Sequence, residues 1–154
     1  MYETNNHTTD KKPFKYQSLI NQLLAAGCHL PELSQPDNID ACRFAFAENG
    51  HPNHIPQYVS NPRRMLQDMG KKAATTSLLA LSCFTTSERA EAFYANLRKA
   101  FKHAASSIGD SLAEGILTNA EGMMTTPSAN GHFDFYEYEG CDLNKTFHIT
   151  RKIA

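Results

Sequence analysis

The sequence predicts a single α+β domain: a small mixed or antiparallel sheet, packed with three or so helices and ending in a C-terminal β-hairpin. Three observations predict it. Apolar residues recur at spacings of three and four between Ala90 and Ala104, the period of one helix face. Residues 132–139 and 146–153 instead repeat every second position, the period of a strand. Helical and extended segments are interspersed irregularly, without the regular strand–helix alternation of a parallel sheet. The 154 residues, 41% of them hydrophobic, suffice for one core of this kind.

The elements follow in order. Residues 1–12 are polar, with little to bury, and read as a disordered leader before a domain over 13–154. Phe14, Tyr16, Leu19, Ile20, Leu23 and Leu24 form the apolar face of a first helix, which Gly27 ends. Cys42 to Ala47 alternates as a short strand, with Cys42, Phe44 and Phe46 on one side and Arg43, Ala45 and Ala47 on the other. Two prolines make His51–Pro56 a non-helical loop, and Gln57–Ser60 reads as a second short strand. Asn61-Pro62 starts a helix that runs to Met69 and ends at Gly70.

Ser77–Phe84 is a short apolar run and reads as a buried strand. Thr85-Thr86-Ser87-Glu88 has the form of a capping box, with Thr85 as the cap. The helix beyond it carries Ala90, Phe93, Tyr94, Leu97, Ala100, Phe101 and Ala104 on one stripe. As core residues, Phe93 and Phe101 would each cost about 3–5 kcal/mol on truncation to alanine. Gly109, Gly115 and Gly122 divide the next stretch into short pieces, and Met123–Asn130 reads as loop. His132–Glu139 and Thr146–Ile153 complete the chain as the two strands of an antiparallel hairpin.

Fifteen basic residues balance sixteen acidic ones, for a formal charge of −1. That balance disfavours a strongly basic nucleic-acid binder, and specific nucleic-acid recognition is not expected. Arg63, Arg64, Lys71 and Lys72 cluster locally, and Arg63 and Arg64 oppose the dipole at a helix start. No secretory pattern and no membrane-length apolar run is visible, so a soluble, cytoplasmic location is expected. Cys28, Cys42, Cys83 and Cys141 lack CxxC spacing and read as reduced thiols. His51-x-x-His54 has suitable zinc-ligand types, but it lacks the Glu of a metalloprotease motif and reads as solvent-facing loop. No bound metal is expected. Neither a phosphate-binding glycine loop nor a G-x-S-x-G elbow occurs.

The late strand carries a conflict of pattern. Period two places Glu137 and Glu139 on the face of Phe133 and Phe135, away from His132, Asp134, Tyr136 and Tyr138. A buried carboxylate is costly unless paired or held at a cleft. Three resolutions stand open: a bulge near Tyr136, a strand that leaves the core, or a functional cleft lined by both carboxylates. In the last, Glu137 and Glu139 are the candidate catalytic pair, since shared charge raises one pKa. His132 or His54 could also work with Glu137 as an acid–base pair. Ser82 and Thr85 flank a helix start, where backbone N–H groups attract anions.

Arg43 on an early strand, Ser82-Cys83-Phe84-Thr85-Thr86 at the end of a second, and Glu137-Tyr138-Glu139 on a late one occur in this order. The arrangement resembles the ADP-ribosyltransferases. The resemblance implies NAD as cofactor, Arg43 against the dinucleotide and Ser82 supporting the nicotinamide pocket. It also implies Glu139 on the nicotinamide ribose and Glu137 facing the acceptor. It covers three short patches, and Phe-Thr-Thr lacks the family's third hydroxyl.

The residues themselves favour a binding or accessory protein with no cofactor, acting on a protein or small-molecule partner. Arg43, Ser82 and Thr85 are its candidate ligand contacts. An exposed aromatic patch of several hundred Å², including Tyr136 and Tyr138, is expected on that reading. The alternative is the NAD-using enzyme, which requires Arg43, Ser82 and Glu139 to meet in one pocket.

Overall fold

A computed structural model describes residues 12–154, and the expected leader lies almost wholly outside them. Six strands form one antiparallel sheet in the order β4-β5-β2-β1-β3-β6. They are β1 (Ile39–Ala45), β2 (Leu81–Phe84), β3 (Ser111–Leu117), β4 (Gly122–Met124), β5 (His132–Glu137) and β6 (His148–Lys152). The helices among the described residues are α1 (Gln17–Ala25), α2 (Gln57–Ser60), α3 (Pro62–Gly70), α4 (Ser87–Ala100) and α5 (Ala104–Ser107). A single 3-10 turn, Thr76–Leu79, precedes β2. The α+β class is as expected. None of these helices is long and apolar enough to cross a membrane.

Each face of the sheet is covered differently. On one, Ala41, Ala45, Leu81, Cys83, Ala113, Leu117, Phe133 and Phe135 are closed over by Leu143 and Phe147. On the other, α4 packs Ala90 onto Cys42, Phe84 and Leu112, while Phe44, Phe93 and Tyr94 stack beside them. Further along this second face, Tyr136 packs with Ile20 and Leu23 of α1, Tyr58 of α2 and Met65 of α3.

Several expectations are corrected here. Residues 132–137 and 148–152 do not pair with each other: β5 lies between β4 and β2, whereas β6 pairs with β3 at the opposite edge. The reason lies in their connection. Leu143 and Phe147 need burial, so the segment crosses the sheet face instead of turning tightly. The hairpin that does form joins β4 to β5.

Gln57–Ser60 is a helical turn, not a strand. Residues 76–79 are a 3-10 turn, so the apolar run supplies a strand only from Leu81. β3 pairs with β1 along its whole length, although its glycines read as breaks. A Cβ on Gly115 would meet the Thr146 backbone, and one on Gly122 would lie 2.6 Å from the Phe135 ring. These glycines admit close neighbours within a sheet rather than ending strands.

The cap of α4 is Thr86, whose hydroxyl accepts from the Arg89 amide; Thr85 instead donates its amide to the Gly131 carbonyl. The α4 stripe is also less buried than its period suggests. Ala90 and Tyr94 are buried, but Phe93 and Phe101 are each 39% exposed.

Candidate functional site

The two helical packs on the second face leave a strip of sheet between them. Phe84 pairs with His132 and Ser82 with Asp134 across β2 and β5, so Ser82, His132 and Asp134 share that face. This strip is the polar floor of a cleft of about 930 Å³. Its walls include Phe44 of β1 and Phe46 just after it, residues 51–57, the cap residue Asn61 and Arg64 at the start of α3, and Phe101 beyond α4.

Two of the candidate residues meet here. Arg43 and Ser82 both line the cleft. The β1–β2 ladder is confined to the Cys42–Phe84 pair, which leaves the carbonyl of Ser82 free of a strand partner in β1. Arg43 supplies the bond instead, with Nη1 2.5 Å from the Ser82 oxygen. Its Nε donates to Nδ1 of His54 at 3.0 Å. Only 9% of Arg43 is exposed, and no carboxylate of the described residues forms an ion pair with it.

His54 is not the solvent-facing residue that its loop suggested. Its ring stacks on Phe147, 5.1 Å between centroids. Burial first, and the Arg43 charge second, lower its pKa from 6.5 to about 3, so the ring is a neutral acceptor. A depressed folded pKa confers stability that is present above the unfolded value and is lost as pH falls. The loss attributable to His54 is expected to begin near pH 6.5 and continue toward about 3. His54→Gln keeps an acceptor for Arg43 without a titrating ring. Its acid unfolding should be measurably shallower than that of the wild type, and identical profiles would refute the assignment.

Ser82 faces the cleft with its hydroxyl 2.6 Å from Nε2 of His132. Oδ1 of Asp134 lies 3.7 Å from the same nitrogen. Burial pushes the Asp134 carboxyl up, and the His132 charge opposes the shift. Arg64 bonds Oε1 of Gln57 at 2.5 Å and lies 3.5 Å from Asp68. The cation at the start of α3 therefore meets a carboxylate one turn later, which offsets its position against the dipole.

The remaining candidates lie elsewhere. Glu137 stays on the Phe133–Phe135 face and is buried, with Oε2 2.9 Å from Nζ of Lys15. Lys15 also donates to the Cys141 carbonyl at 2.6 Å. No bulge interrupts the register of β5 with β2 or β4. The pattern conflict at Glu137 is thus resolved by an ion pair, which makes a buried carboxylate tolerable without a cleft. Glu139 lies past the end of β5 on an exposed turn, its amide donating to the Pro13 carbonyl. Neither glutamate lines the cleft that holds Arg43 and Ser82.

Thr85 lines a separate cleft of about 460 Å³ with Asp40, Glu88 and Glu114. Three carboxylates around the start of α4 repel the phosphate that a bare helix start would attract. Tyr136 and Tyr138 are buried, at 1% and 5% exposure, and supply no surface patch. Their strand has both faces covered, which alternation alone does not reveal.

His132 and Asp134 join Ser82 on the cleft floor, a grouping that no local pattern in the sequence marks. Their shared parity was legible, but the pairing of β5 with β2 was not. In comparisons with known proteins, the chain matches no family model, no curated protein and no solved structure.

Proposed function

We propose that this protein binds a small organic anion carrying an aromatic or sugar moiety in the cleft between its two helical packs. The observation that carries the reading is Arg43: a nine-tenths buried arginine at the cleft wall, its guanidinium held by a neutral histidine and a carbonyl, with no carboxylate in ion-pair contact. Its charge acts on the buried Glu137 carboxyl without contacting it, and a buried cation with no carboxylate in contact is costly, so an anionic ligand would complete it. Arg64 adds a second cation, Asp134 is the one carboxylate among the lining residues, and Phe44, Phe46 and Phe101 offer apolar ring contacts. Such a cleft suits a nucleotide-like ligand better than a flat protein partner.

The NAD-using reading falls within this class and draws support from the meeting of Arg43 and Ser82. The position of Glu139 outside the cleft weighs against it as the ribose contact. Thermal unfolding in the presence of NAD⁺, AMP, adenosine and inorganic phosphate separates the possibilities. A ligand at about 100 times its Kd should stabilise by about 2.7 kcal/mol. We expect AMP or NAD⁺ to raise the Tm, adenosine to do so far less, and Arg64→Ala to reduce the shift. If none of the four raises the Tm at millimolar concentration, the anion reading is wrong. A shift with AMP but not NAD⁺ would remove the transferase reading alone.

A further inference from the structure

The geometry points to an activity beyond binding: Ser82 and His132 form a nucleophile–base pair that hydrolyses small esters in this cleft. The hydroxyl of Ser82 lies at hydrogen-bond distance, 2.6 Å, from a ring nitrogen of His132. Both residues line an open cleft, and the serine is exposed within it. A serine hydroxyl is a weak nucleophile until an adjacent base can take its proton, and this contact is the arrangement that permits it. The strands hold the pair rigidly, since Ser82 lies opposite Asp134 and His132 opposite Phe84 in an unbroken register. The His132 ring is further packed edge-on against Phe84, 5.4 Å between centroids. Asp134, 3.7 Å from the same ring nitrogen, is placed to stabilise the imidazolium that forms once the proton arrives. It approaches that nitrogen directly rather than the far side of the ring, so it acts through charge and not by setting the tautomer.

The step balances without a metal or redox partner. The Ser82 Oγ attacks the ester carbonyl carbon, and its proton passes to Nε2 of His132. The bond to the leaving alcohol breaks, and the alcohol oxygen takes that proton. Water then attacks the acyl-serine and gives its proton to His132, and Ser82 leaves with a proton restored. One ester and one water yield one acid and one alcohol. Asn61, Gln57 and Arg64 line the same cleft and bring N–H groups to it that can stabilise negative charge developing on the carbonyl oxygen.

The proposal needs the cleft to admit small molecules, but it does not require that the natural ligand be an anion. A neutral alkyl fluorophosphonate therefore tests it separately. Intact-mass analysis and peptide mapping of the full chain should show one adduct, on Ser82, with fluoride released. Ser82→Ala should abolish the adduct, and this exposed site should tolerate the change. General-base assistance contributes about 10²–10⁴-fold, so His132→Gln should slow labelling at least about 100-fold. His132→Ala should be slowed likewise and partly rescued by added imidazole, which a merely structural histidine would not show. No adduct, an adduct elsewhere, or a Ser82 adduct whose rate is unchanged in His132→Gln would each overturn the pair. These outcomes leave the Tm shifts with AMP or NAD⁺ untouched, so either reading can fail without the other.

Discussion

Phe135→Ala is expected to destabilise the protein by about 3–5 kcal/mol, the range for truncating a buried aromatic ring. Phe135 is fully buried in the middle of the sheet face closed by Leu143 and Phe147. Its ring is also the atom group that a side chain at Gly122 would strike, so the space around it is filled from the neighbouring strand as well. Close packing on every side leaves little room for the structure to relax into the void. Phe101→Ala should cost far less, below about 1.5 kcal/mol, because 39% of that side chain already contacts water. Denaturant unfolding of both variants checks the pair. A larger loss for Phe101 than for Phe135 would contradict the core assigned here.

Lys15→Met is expected to cost about 3 kcal/mol at neutral pH. Removing one partner of a buried ion pair leaves the other charge uncompensated, at about 3–5 kcal/mol. The low end applies because the Lys15 side chain is 31% exposed while that of Glu137 is 3% exposed. Burial pushes the Glu137 carboxyl above its usual 4.5, and Lys15 pulls it back only in part. Lys15 in turn is raised above 10.5, since its bond to Glu137 and the carboxylate charge outweigh its own desolvation.

The direction with pH follows from these shifts. A raised carboxyl pKa contributes stability that is complete below the unfolded value and is lost as pH rises through the folded one. Without Lys15 that loss deepens. The gap between Lys15→Met and wild type should therefore close as pH falls through the raised folded range of Glu137, above 4.5, where the buried carboxyl takes up its proton first in the variant and then in the wild type. The double variant Lys15→Met with Glu137→Met should recover most of the stability at pH 7, because an apolar pair carries no desolvation cost. A deficit that is constant with pH, or a double variant no better than Lys15→Met, would show that the ion pair is not what holds this corner.

Local patterns reached a fair part of this architecture. The start of α3 was legible because Asn61 and Pro62 act within one turn. β5 was legible because its aromatic alternation is a property of the strand itself. Glu137 stands out in the sequence because a carboxylate in register with Phe133 and Phe135 breaks a rule of burial. The sign of that conflict was readable, but its resolution was not, since Lys15 stands 122 positions away. β3 is not legible locally because glycine has opposite meanings in isolation and in a sheet. Only the approach of Thr146 explains why position 115 has no side chain. The burial of His54 is hidden for a similar reason: two prolines announce a loop, but nothing local says that Phe147 and Arg43 will cover it.

By itself, then, the chain determined its class, most of its helices and strands, and one position, Glu137, where charge and burial collide. These rest on periods and caps, interactions that act over one or two turns. The tertiary structure alone decided the strand order, with β6 sent to the far edge so that Leu143 and Phe147 could be buried on the way. It alone separated Glu139 from Arg43, and it brought Ser82 within 2.6 Å of a histidine fifty residues later. Register between distant strands is a collective outcome of which faces can be covered, and no single segment carries that information. The candidate chemistry therefore shifts from the late glutamates to the polar floor that two helical packs leave uncovered.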